Sequence, residues 1–60
     1  MSDILTVKEL ADYLRIHQTT VYRLAKQGKI PHFRVGFDLR FNRATIDEWM
    51  AKQSAAEMRR

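Results

Sequence analysis

Five side chains able to grip an anion or a polar edge recur at helical spacing: Gln18, Thr19, Tyr22, Arg23 and Lys26. Gln and Arg each present paired hydrogen-bonding groups. Thr carries a methyl beside its hydroxyl, and Lys and Tyr reach outward as donors. A second set, His32, Arg34 and Arg40, alternates with Phe33, Val35, Leu39 and Phe41 in two short runs. Period-2 alternation puts those four apolar residues on one face and the three polar ones on the other. This inventory suits recognition of a polyanion with polar edges.

The charge distribution points the same way. From Arg15 to Arg40 the chain holds six basic residues against the single acid Asp38, so that stretch carries +5. The flanks hold five basic residues and six acids, or −1, and the whole chain is +4. A basic middle between near-neutral ends is expected of a surface that meets a nucleic acid. The alternative is a solvated surface that keeps a small protein soluble.

The inventory argues against catalysis. There is no Cys, and the two Ser, Ser2 and Ser54, lie near the ends. Two Gly make no phosphate-binding loop. Asp47 and Glu48 are adjacent on a helical pattern and diverge by roughly 100°, so they cannot flank a substrate. His17 and His32 lack companions for a metal site. No catalytic residue, cofactor or metal is therefore expected. The absence of Cys suits a reducing, intracellular setting. No apolar run approaches the ~18 residues of a membrane span, and Met1-Ser2-Asp3 does not begin a signal peptide. A cytoplasmic, nucleoid-associated protein is expected. Sixty residues make one small domain, and 45% hydrophobic composition is enough for one core.

The elements that must position these residues can be read from caps and periodicity. Thr6-Val7-Lys8-Glu9 reads as a capping box, with Leu5 and Leu10 spaced as a hydrophobic staple. Val7, Leu10, Ala11 and Leu14 then form the stripe of a first helix over about 7–14. Thr20, Val21, Leu24 and Ala25 form the inward stripe of a second, over about 18–26. Only Arg15-Ile16-His17 separates the two, so the chain turns sharply there with Ile16 buried at the corner. Gly28 supplies a left-handed stop, and Pro31 prevents continuation. Phe33–Val35 and Leu39–Phe41 flank Gly36-Phe37-Asp38 and predict a two-stranded hairpin over 32–41. Its apolar face must pack on the helices, because two strands alone are marginal in water. Asn42 caps a third helix, with Phe41 and Ile46 as a second staple and Ile46, Trp49 and Met50 as its core stripe. The expected division is a winged helix-turn-helix domain over 4–52. A basic tail over 53–60 either extends the last helix or frays. The fold class is mainly α with a small β-hairpin.

Two short helices joined by about three residues form a helix-turn-helix, whose second helix fits the DNA major groove. Gln18, Thr19, Tyr22, Arg23 and Lys26 would then face bases and phosphates, and Arg34 and Arg40 would give the hairpin a second contact as a wing. Each residue also has a plain reading. Tyr22 could pack at the core edge. Arg23 could pair with Glu9 or Asp12. Gln18 and Thr19 could be ordinary solvated residues at a helix start. Lys26 could answer the helix dipole, and Arg34 and Arg40 could simply discourage edge-strand aggregation. Phe37 has three fates: folded back on the hairpin, wedged at a minor groove, or set against another protomer.

Ile4-Leu5-Thr6-Val7-Lys8-Glu9-Leu10-Ala11, Thr20-Val21-Tyr22-Arg23-Leu24, Gly28-Lys29-Ile30-Pro31, Phe33-Arg34-Val35-Gly36 and Ile46-Asp47-Glu48-Trp49-Met50 together resemble the excisionase-type, MerR-like winged helix-turn-helix family. The resemblance covers about residues 4–52. It implies a compact DNA-binding domain, serving either as a recombination directionality factor or as a small transcription regulator. The partners it implies are double-stranded DNA, a further copy on repeated sites, and a recombinase or transcription partner. By the family pattern Thr19, Tyr22 and Arg23 match the recognition helix, and Arg34 and Arg40 match basic wing positions. Three positions depart from that pattern: Arg15 and His17 stand where Gly and a small hydroxyl cap are usual, Phe37-Asp38 replaces a basic wing tip, and Leu39 replaces a wing aromatic. The alternative function class is a winged-helix protein-interaction module with only generic DNA affinity.

Overall fold

The computed structural model describes residues 3–58, with side chains described as far as Ser54. The elements in order are β1 (Ile4–Leu5), α1 (Val7–Leu14), α2 (Gln18–Lys26), β2 (Phe33–Val35), β3 (Asp38–Asn42) and α3 (Arg43–Met58).

The first helix starts where its cap dictates. The Glu9 amide donates to Thr6 Oγ1 at 3.1 Å, and the Thr6 amide donates to Glu9 Oε1 at 2.9 Å. This reciprocal box satisfies two amides that no helical carbonyl can reach. Both helices of the motif then end in the same way. The Ile16 amide reaches the Ala11 carbonyl at 2.9 Å and the Arg15 amide reaches Asp12 at 3.3 Å. One helix later, Lys29 reaches Leu24 at 2.9 Å and Gly28 reaches Ala25 at 3.0 Å. These are paired Schellman bonds, each built around one left-handed residue. Gly28, at φ 69°, takes that conformation freely, as its position predicts. Arg15 takes it at φ 58° despite its Cβ, so the tight turn stores strain. Replacing Arg15 with Gly is expected to stabilise the fold by ~0.5–1 kcal/mol, because relief of the strain exceeds the extra unfolded-chain entropy. Chemical denaturation of the two proteins, read by circular dichroism, checks this.

The core follows the two helical stripes. Val7, Leu10, Ala11, Val21, Ala25, Ile30, Leu39, Phe41 and Ile46 are buried, with Leu5, Leu14, Ile16, Leu24, Trp49 and Met50 packed around them. Ile16 is half-buried at the corner, where complete burial was expected. Phe41 and Ile46 are both fully buried. Their junction is held by Asn42, whose Oδ1 accepts from the Thr45 amide at 3.1 Å. Trp49 does more than pack: its indole N–H donates to the Lys29 carbonyl at 3.1 Å, tying α3 to the loop that follows α2. The last helix continues through Met58. The final two residues of the tail read at 53–60 lie outside the described residues.

The sheet differs from the sequence expectation in two ways. First, it has three strands in the order β1-β3-β2. Ile4 and Leu5 pair antiparallel with Asn42 and Phe41, placing Leu5 on the core side beside Phe41. Second, the wing register is shifted. Val35 pairs with Asp38, Arg34 with Leu39 and Phe33 with Arg40. Directly opposed residues share a face. Arg34 therefore lies on the face of Leu39 and Phe41, while Phe33 and Val35 lie on the face of Arg40. The expected grouping of Phe33, Val35, Leu39 and Phe41 on one face, with Arg34 and Arg40 together on the other, is corrected. The cause is the turn: only Gly36 and Phe37 stand between the last pair, and a one-residue change in loop length flips every side chain of one strand. Gly36 at φ 64° in the first central position, followed by a residue without positive φ, has the pattern of a type II′ hairpin.

Candidate nucleic-acid interface

The outer face of α2 assembles as its periodicity predicts. Gln18, Thr19, Tyr22, Arg23 and Lys26 are all exposed, while Val21 and Ala25 are buried beneath them. Tyr22 is 53% exposed, so it stands outside the core with about half its surface open. Arg23 is free of the pairing with Glu9 or Asp12 weighed from sequence. The ion pairs among the described residues are Arg40 with Asp38 and Arg43 with Asp3, both at 3.9 Å. The start of α2 carries His17 in extended conformation with no side-chain cap bond. Two of its first-turn amides, Thr20 and Val21, instead return to the His17 carbonyl at 3.0 and 3.3 Å.

The wing stands across from this helix. Between them runs an open cleft of about 440 Å³, lined by Lys8, Gln18, Tyr22, Arg34, Phe37 and Arg40 among others. The structure thus brings Gln18, Tyr22, Arg34 and Arg40 to one cleft. Thr19, Arg23 and Lys26 do not line it and face solvent from the same helix. The two wing arginines are unequal. Arg40 is half-buried, with Nη1 donating to the Leu39 carbonyl at 2.7 Å and Nη2 3.9 Å from Asp38. It already partly neutralises the one acid of the basic stretch. Arg34 is exposed with no ion pair among the described residues.

Lys8 also lines this cleft, a position the sequence reading did not single out, although a cation in the first turn of a helix opposes the dipole and so stands out by spacing alone. Phe37 is 100% exposed, which overturns the reading that it folds back on the hairpin.

A last contact stands apart from this surface. The Tyr13 hydroxyl donates to Asp47 Oδ1 at 2.6 Å and links α1 to α3. This hydrogen bond to the carboxylate is the main cause that raises the Tyr13 pKa above its ordinary value. A raised folded-state pKa stabilises the fold below the unfolded value, near 10, and that contribution disappears as pH rises through the folded value. Thermal unfolding from pH 8 to pH 11 is expected to show a loss of stability at the alkaline end that Tyr13→Phe diminishes.

A capped first helix, a strained three-residue turn, an exposed polar second helix and a hairpin beside it define a winged helix-turn-helix. Sequence comparison agrees: the family described as helix-turn-helix domain matches residues 4–54. The chain belongs to this family. It is 39% identical over 54 residues to the uncharacterised protein YvgK of Bacillus subtilis, covering 90% of this chain and 16% of YvgK. It is 35% identical over 49 residues to Rv0500A of Mycobacterium tuberculosis, a protein provisionally named as DNA-binding, covering 82% of this chain and 63% of that one. The counterpart MT0521, from a second strain of that organism and named in the same way, matches equally. The chain thus spans less than two thirds of the length of each of these relatives. No solved structure matches it. Among the described residues, no helix is long and apolar enough to cross a membrane, and no cluster of His, Cys, Asp or Glu could hold a metal ion.

Proposed function

We propose that residues 4–52 bind double-stranded DNA with sequence preference. In this reading α2 lies in the major groove and the hairpin rests on the far side of one strand. The observation that carries it is the exposed face of α2, where Gln18, Thr19, Tyr22, Arg23 and Lys26 stand together with no side-chain partner among the described residues. Gln18 and Arg23 supply bidentate contacts to base edges, and Thr19 supplies a methyl for thymine. Tyr22, Lys26, Arg34 and Lys8 hold phosphates. Arg40 serves the wing by neutralising Asp38 and holding the hairpin tip, with its remaining donors toward the backbone strand. The provisional DNA-binding names of the mycobacterial relatives support the same reading.

Single modules of this kind bury roughly 600–1,000 Å² of protein surface. Such an area favours action at repeated sites or alongside a partner. Recombination directionality and transcription regulation use the same contacts and differ in what lies nearby on the DNA.

Equilibrium titration of a duplex over a range of salt concentrations tests this reading. The four basic residues placed on the backbone, Lys8, Lys26, Arg34 and Arg40, give log K against log [salt] a slope near −4 per protomer, from about −0.9 per contact. A slope near zero would remove the phosphate contacts from the account. Binding that is equally strong on every duplex and disappears at physiological salt would favour the interaction-module alternative.

A further inference from the structure

We infer that Phe37 is an apolar wedge that enters the minor groove and unstacks a base step. This rests on the reading of α2 as the major-groove helix and adds a second mode of DNA recognition to it.

A two-residue hairpin with Gly36 at φ 64° projects its second central residue from the tip. That residue is a phenylalanine with 100% of its surface exposed. Leaving one large apolar side chain wholly in water brings the fold nothing. Small polar residues satisfy the same turn position, so the turn does not require an aromatic. The Phe37 ring therefore calls for a partner outside the fold.

Its location says which partner. Phe37 lines the same cleft as Gln18 and Tyr22 of α2 and Arg34 of the wing. A sugar-phosphate strand laid in a cleft with basic residues on both walls has the major groove on one side and the minor groove on the other. With α2 on the major-groove side, the hairpin tip falls on the minor-groove side. Charge supports the approach. Arg34 is free to meet the phosphates, and the acid beside Phe37, Asp38, faces Arg40 Nη2 at 3.9 Å rather than standing alone. The wing tip, where Phe37-Asp38 stands in place of a basic tip, is thereby made nearly neutral and apolar. That is the character of a side chain that slides between bases rather than one that grips the backbone. Apolar wedges of this type unstack one step and kink the duplex by about 20–90° toward the major groove.

The test uses the full 60-residue chain and a duplex carrying a sequence selected by the chain. A series of such duplexes, each with one 2-aminopurine, scans the site and its flanks for unstacking. End-labelled duplexes report bending by energy transfer. Wild type is expected to raise fluorescence at one step beside the contacted segment and to shorten the end-to-end distance. Phe37→Ala should lose both effects, weaken binding by roughly 3–30-fold and keep the same sequence preference. Phe37→Trp should restore the bend. Because Phe37 contacts no core, neither variant is expected to unfold, and circular dichroism verifies this. The inference is overturned if wild type unstacks no base, or if Phe37→Ala bends DNA as wild type does. It is equally overturned if the variant loses only the loading of a second copy on adjacent sites, which would make Phe37 a protein contact. Failure of the wider reading looks different: no sequence is then selected at all, and Arg23→Ala binds as wild type does.

Discussion

Phe41→Ala is expected to unfold the domain at physiological temperature. Phe41 is fully buried and sits where β3, β1 and α3 meet. Leu5 pairs with Phe41 across the sheet, and Ile46 of the same core is also fully buried. Truncating a buried Phe to Ala costs ~3–5 kcal/mol, combining lost transfer energy with the cavity left behind. A domain of this length has a total stability of roughly 3–9 kcal/mol, so most or all of it is removed. The unfolding midpoint should fall by roughly 15–30 °C. Phe41→Leu keeps most of the volume and should cost less than ~1.5 kcal/mol. Thermal melts of the three proteins, followed by circular dichroism, check both values. A melt for Phe41→Ala within a few degrees of wild type would mean that the core is not centred where the structure puts it.

Arg23→Ala is expected to leave the fold intact and to weaken binding to a preferred sequence by ~1–3 kcal/mol. Arg23 is exposed on α2 and makes no ion pair among the described residues, so its removal strands no buried partner. The loss should be larger on the preferred sequence than on a scrambled one, and preference at a single base position should relax. Arg23→Lys keeps the charge but loses the planar fork, so it should bind DNA generally while reading that position poorly. Arg34→Ala should behave differently, weakening all sequences alike and reducing the salt slope by about one. Titrations of preferred and scrambled duplexes against the three variants separate these outcomes. If Arg23→Ala lost affinity equally on both duplexes, Arg23 would be a phosphate contact and the base readout would lie elsewhere on the helix.

Most of the architecture could be read before any coordinates, because the signals were local. Thr6 with Glu9, Gly28 and Asn42 each act on backbone groups within a few residues, so spacing alone predicts them. The exposed face of α2 was legible for the same reason, since helical periodicity fixes which side chains lie together. Four features were not. The strand at Ile4–Leu5 has two residues, too few to show alternation, and exists only because β3 offers an open edge. The wing register hinged on whether Gly36-Phe37-Asp38 is a three-residue loop or Gly36-Phe37 a two-residue one. The first choice groups Phe33 and Val35 with Leu39, and the observed second choice separates them. That difference also turns Arg34 and Arg40 onto opposite faces of the wing, although both still line the cleft. Ile30 is buried yet stands alone between Lys29 and Pro31, where no periodic pattern could mark it. The hydrogen bond from Trp49 to Lys29 spans 20 positions and depends on how α3 crosses the motif, which no local signal encodes.

The central claim is that the outer face of α2 reads base edges. The most direct test is selection of random double-stranded DNA on the purified chain at ~150 mM salt, near physiological ionic strength, followed by sequencing of the bound pool. The account predicts an enriched short motif, repeated at fixed spacing where two copies load together, and loss of part of that motif when Arg23→Ala is selected in parallel. A pool with no enrichment, whose binding merely tracks salt, would contradict it and leave the basic face as a generic surface.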